Sequence, residues 1–150
     1  MKLAEALSMR SDLQERLYQL ETRLNNNSKV QEGEEPNEDP AALLAELDTV
    51  ASQLEELIGR INMTNSTTEC DGTTLAQLVA HRDVSKRRAQ ILRSFLDSAS
   101  STVSRHSASE IRVVSTVNVK EMRKSVDDLS EDVRKTDMRI QELNWTTDLV

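Results

Sequence analysis

The sequence predicts a mainly α-helical fold: a coiled-coil-like, up-down bundle of four long antiparallel helices with a short β segment near 111–117. Three observations carry this expectation. Apolar residues recur at alternating three- and four-residue steps in four separate segments, which keeps one stripe of each helix turned toward a partner. Tyr18, Phe95 and Trp145 are the only aromatic side chains, too few large rings for a thick interior, so a slender bundle fits better than a globe. A length of 150 residues, 37% hydrophobic and 30% charged, suits one soluble domain over 1–150.

Helix one is expected over about 2–25, where Leu3, Ala6, Leu13, Leu17, Leu20 and Leu24 hold the seam. It should stop at Asn25, Asn26 and Asn27, because asparagine tolerates the left-handed conformation that ends helices. An acidic connection over 26–39 contains Gly33 and Pro36 and closes on Asp39, an N-cap type followed by Pro40 at the first helical position. Helix two, about 40–65, carries the strongest heptad in Leu43, Leu47, Val50, Leu54, Leu57 and Ile61, and runs for roughly 37 Å. Gly59 inside it costs about 1 kcal/mol relative to alanine and marks a candidate close helix approach.

Residues 65–73, rich in Thr and Ser and containing Asp71-Gly72, read as a turn. Thr74 and Gln77 form a capping box for helix three, about 74–104, whose seam is Leu75, Leu78, Leu92, Leu96, Ala99 and Val103. Its middle, at Arg82, Ser85 and Ala89, is poorly apolar. The connection 105–118 contains Ile111, Val113 and Val117 with mostly polar alternates, the two-residue period of a strand. Asn118 and Glu121 then cap helix four, about 119–144, which carries Val119, Met122, Val126, Leu129, Val133, Thr136, Ile140 and Leu143. In an up-down order the strand lies at the same end as the extended segment 29–31, and pairs there or with its copy in another subunit.

The net charge of −7 opposes nucleic acid as a partner, since that affinity rests on neutralising phosphates. Glu5, Arg10 and Asp12 interrupt the start of the chain where an export signal would be apolar, and no run of about 18 apolar residues follows, so a cytoplasmic protein without an integral membrane segment is expected. A single cysteine, Cys70, excludes an internal disulfide and suits a reducing compartment. His81 and His106 lack a ligand at i+3 or i+4, so no metal site is assigned. No nucleophile motif or phosphate-cradling loop is present, so no catalytic residue and no cofactor are assigned, and an enzyme is disfavoured. The basic run Lys86-Arg87-Arg88 and the acidic run from Glu32 to Asp39 read as solvated surface.

The seams break at Arg10, Arg82 and Thr136, each seven residues from a leucine of its own helix. With the helices aligned up-down, the three share one level, roughly 10 Å from the end opposite the strand. Two readings follow. The arginines snorkel out or pair with carboxylates such as Glu56 or Asp137 and fix register, or they form an anion site.

Three segments carry a family resemblance: Lys29-Val-Gln-Glu-Gly-Glu-Glu-Pro36, Ser109-Glu-Ile-Arg-Val-Val-Ser-Thr-Val117 and Asn144-Trp-Thr-Thr147, together with the opening Met1-Lys-Leu-Ala-Glu-Ala-Leu7. In these the chain resembles small bacterial proteins of unknown function often called septicolysin. The resemblance implies a long-helix fold, assembly into homo-oligomers and, from the name, a cytolysin; it supplies no catalytic residues. The function expected from the sequence is therefore unknown in its specifics. A non-catalytic oligomeric structural or protein-interaction protein leads, with a membrane-active cytolysin second and a ligand, metal or catalytic site at a subunit interface third.

Overall fold

The computed structural model describes residues 1–102 and 111–150. Among these residues are four α-helices, α1 (Leu3–Asn26), α2 (Pro40–Thr67), α3 (Leu75–Ser100) and α4 (Val119–Thr146), and a two-stranded antiparallel sheet of β1 (Glu69–Cys70) and β2 (Thr73–Thr74). The expected helices are all present. The expected end of helix three at 103–104, and residues 105–110 of the connection, lie outside the described residues. The chain divides into two compact units: Met1–Leu75 with Glu142–Val150, and Ala76–Gln141.

In the first unit α1 and α2 form an antiparallel pair. Arg16 meets Glu46, while Arg23, further along α1, reaches back to Glu38 ahead of α2. Leu20, Leu43 and Val50 form a buried cluster, with Leu13, Leu17 and Leu24 packed against it, the seam positions read from the heptads. Asp39 caps α2, accepting the Ala41 N–H at 3.0 Å, and Pro40 takes the first turn. The end of α1 differs from expectation. Asn27 has φ −107°, not a left-handed value, and its side chain closes the turn instead. Its amide donates to the Arg23 carbonyl at 2.8 Å and accepts the Glu38 N–H at 3.0 Å.

The sheet also differs from expectation. No strand forms at 111–117: residues 111–115 have no regular secondary structure and no ladder, and Ile111, Val113 and Val114 are exposed. A β-branched alternation becomes a strand only when an edge satisfies its backbone groups, and none pairs with it among the described residues. The sheet lies instead in the stretch read as a turn. Asp71 (φ 51°) and Gly72 (φ 80°) both take positive φ, the two-residue hairpin geometry that Asp-Gly favours. This sets Glu69 opposite Thr74 and Cys70 opposite Thr73. Leu75, fully buried, extends the pairing through its N–H to the Thr68 carbonyl at 2.9 Å.

The C-terminal segment is tied to both helices of the first unit. Lys2 and Asp148 form an antiparallel bridge; the Leu3 N–H donates to Thr147 and the Leu149 N–H to Met1, each at 2.9 Å. Arg60 Nε donates to the Val150 oxygen at 2.8 Å, and the buried Thr64 hydroxyl accepts the Val150 N–H at 3.1 Å. Gly59, one residue away, makes no close approach: a Cβ built there meets nothing within 4 Å.

In the second unit α3 and α4 also run antiparallel, because Arg82 meets Asp137 while Arg93, further along α3, meets Ser130. The poorly apolar middle of α3 is nevertheless a buried face. Ser85 is 7% and Ala89 2% exposed, in line with Leu96 on α3, and Val126 and Ile140 are buried on α4. Asn118 caps α4, accepting the Glu121 N–H at 3.2 Å.

Candidate functional site

Arg10 belongs to the first unit; Arg82 and Thr136 belong to the second. Arg10 is half-buried on α1, and its Nε is buried without a hydrogen-bond partner. Arg82 is the opposite case. Its Nε donates to Asp83 and its Nη1 to Asp137, both at 2.8 Å, which realises the expected pairing with Asp137. The hydrogen bond to Asp137 is the main reason its guanidinium is held above its ordinary pKa. Thr136 is half-buried, one residue before Asp137.

Arg82, Asp83, Lys86, Val133, Arg134 and Asp137 line an open cleft of about 340 Å³ in the second unit. Its charges alternate, three cations against two carboxylates, and both carboxylates engage Arg82. Of these pairs Arg82–Asp137 joins α3 to α4, as does the neighbouring His81 Nε2, 2.8 Å from Asp132. Among the described residues no group of three or more His, Cys, Asp and Glu side chains could hold a metal ion.

Two further surfaces were not singled out by the heptad reading. On α3 a second line of residues, Val84, Ile91 and Phe95, is 69%, 54% and 42% exposed. Ile91 and Phe95 lie in an open groove of about 390 Å³ with Arg87, Gln90, Ser94 and Ser98. The signal was present, since Val84, Arg88, Ile91, Phe95 and Ser98 also step by four and three, but one charged and one polar member diluted it. In the first unit Met1, Met9 and Leu13 face Gln53, Glu56, Leu57 and Arg60 across a groove of about 290 Å³. Met9 is 43% exposed and Leu57 forms the buried floor.

Charge divides with the units. The first carries 17 acidic and six basic side chains, net −11; the second carries nine acidic and 13 basic, net +4. Arg87 and Arg88 on α3 are exposed and unpaired among the described residues, as are Asp12 and Glu56 beside the first unit's groove.

A model described as "Family of unknown function (DUF6847)" matches residues 10–149. The chain belongs to the DUF6847 family. This DUF6847 chain is also similar to a crystal structure of a functionally unknown conserved protein from Corynebacterium diphtheriae: 39% identity, TM-score 0.90, with 100% of this chain and 99% of that chain covered. Comparison with curated proteins finds no match. A family of unknown function is thus shown, and neither description mentions septicolysin, lysis or catalysis. No helix among the described residues of this DUF6847 member is long and apolar enough to cross a membrane.

Proposed function

We propose that the protein is a non-catalytic, self-associating structural or interaction protein. The observation that supports this is the line of Val84, Ile91 and Phe95 on α3, which stands in solvent at helix-pairing spacing while a different face of the same helix is buried. The Arg82 cleft fits the same reading. Arg82 is engaged by two aspartates, so this side chain serves helix register rather than a ligand. A single, buried Cys70 fits a reducing, cytoplasmic setting. Light scattering across a protein dilution series tests the proposal. A mass that rises with concentration is expected, and the mass of a single chain at every concentration refutes it.

A lysin, as the septicolysin resemblance implies, is the second reading, favoured by the exposure of Ile111 (94%), Val113 (66%) and Val114 (64%) in a segment of alternating β-branched residues. Dye release from anionic and zwitterionic vesicles decides it. On the interaction reading purified protein releases none at micromolar concentration.

A further inference from the structure

The exposed α3 line is apolar with cations beside it, and the first unit's groove has apolar walls in a strongly acidic unit. Arg87, Ile91 and Phe95 are spaced i, i+4 and i+8, so one helix face presents a cation, an aliphatic residue and an aromatic ring in a row. The groove between Met9, Leu13 and Leu57 measures about 290 Å³. A cavity of about 150 Å³ holds a benzene ring, so the groove has room for a phenylalanine side chain. Methionine walls adapt to the contours of an inserted residue. Glu56 and Arg60 line that groove, Arg60 being engaged by the Val150 oxygen, and Asp12 stands one helical turn from Met9 and next to Leu13. Around the knob lie Arg87 and Arg88; α3 as a whole carries five basic and two acidic residues.

We infer that the α3 face centred on Ile91 and Phe95 docks into the Met9–Leu13–Leu57 groove of a second copy of this chain, with Arg87 and Arg88 against Asp12 and Glu56. This rests on the self-association proposed above and specifies its contact. The choice of occupant comes from charge. The cationic, aromatic-bearing helix needs an acidic surface with an apolar slot, and the net −11 unit of another copy supplies both. The mode is that of a helix laid in a groove, with an aromatic anchor at the centre and charges at the rim. Because knob and groove are different surfaces, each copy offers one of each. The contact therefore joins unlike surfaces, formed twice about a two-fold axis in a reciprocal dimer or head-to-tail in a ring where the rotation permits.

The test uses the full chain in sedimentation velocity, with circular dichroism to establish that every variant keeps its helices. F95A raises the dissociation constant by about thirtyfold, as expected for a central aromatic anchor. The variants R87E/R88E and D12K/E56K each self-associate more weakly than the parent. Mixing these two variants restores association, since each retains the surface that the other has lost and the altered charges attract. An α3-to-α3 contact predicts instead that D12K/E56K, altered only in the first unit, self-associates like the parent. Undiminished assembly in F95A, or no rescue on mixing, overturns the assigned contact and leaves self-association standing. A single-chain mass for the parent at every concentration sinks both. Binding of nucleic acid that is lost in R87E/R88E, with self-association unchanged, also overturns the assignment, because the occupant of α3 is then a polyanion.

Discussion

Arg10 and Arg82 occupy equivalent seam positions in their helices, yet the fold treats them differently. Arg82 has two aspartates at 2.8 Å, whereas the Arg10 Nε is buried with no partner. An unsatisfied buried donor costs about 1–3 kcal/mol, while a half-exposed ion pair contributes about 1 kcal/mol or less. The same substitution should therefore act in opposite directions. Arg10→Leu raises the midpoint of urea unfolding, by about 1 kcal/mol in stability. Arg82→Leu lowers it by a similar amount, since Asp83 and Asp137 lose their shared cation but remain solvated. A gain at both positions would show that the Asp137 pair has no register-setting role. The carboxylate of Glu38 gives a pH-dependent counterpart. Hydrogen bonds from Arg23 hold its pKa below the ordinary value of 4.5. A depressed folded-state pKa stabilises above the unfolded value and is lost as pH falls through the folded one. In acid, below pH 4.5, the parent therefore loses stability more steeply than Glu38→Gln, read by thermal melts across that window.

Helices and turns show where glycine matters. Gly59 lies inside α2 with open space around its missing Cβ, so Gly59→Ala stabilises by about 1 kcal/mol through helix propensity alone. Gly72 also has open space, but its φ of +80° belongs to the hairpin turn. Gly72→Ala is destabilising by about 1 kcal/mol, and loosens the β1–β2 pair in amide exchange. The contrast tracks what was legible in the sequence. Helices survive as heptads because period and burial coincide over about five turns, as in Leu43, Val50, Leu57 and Ile61. Two-residue strands leave no periodic trace, and their one local sign, Asp71-Gly72, marks a turn equally well. The β-branched run at 111–117 had the period of a strand but no partner edge among the described residues, and pairing is a tertiary property that composition does not encode. Asn27 shows the same limit: residue type marked the helix end, but the mechanism, a side-chain bridge to Glu38, needed the eleven-residue loop to return.

At the scale of the whole molecule, a net charge of −7 conceals units of −11 and +4. The sequence total argued against nucleic acid as a partner, yet Arg87 and Arg88 put positive charge within one helical turn of Ile91 on α3. The groove at Met9 and Leu57 was illegible for a related reason, since its walls come from two helices whose register is set by Arg16–Glu46 and Arg23–Glu38. This polarity makes ionic strength a diagnostic variable. Attraction between the −11 and +4 units of separate copies acts over the Debye length, which falls from about 8 Å at physiological salt to about 3 Å at 1 M. Self-association of the parent should weaken steadily over that range, while the apolar contribution of Phe95 and Ile91 persists. R87E/R88E, which removes the attraction, should be weaker at low salt and lose much of the salt dependence. F95A should be weaker throughout yet keep the parent's salt slope. Sedimentation at several salt concentrations separates the two, and equal slopes in the parent and R87E/R88E would mean that the basic run on α3 does not face the acidic unit of another copy.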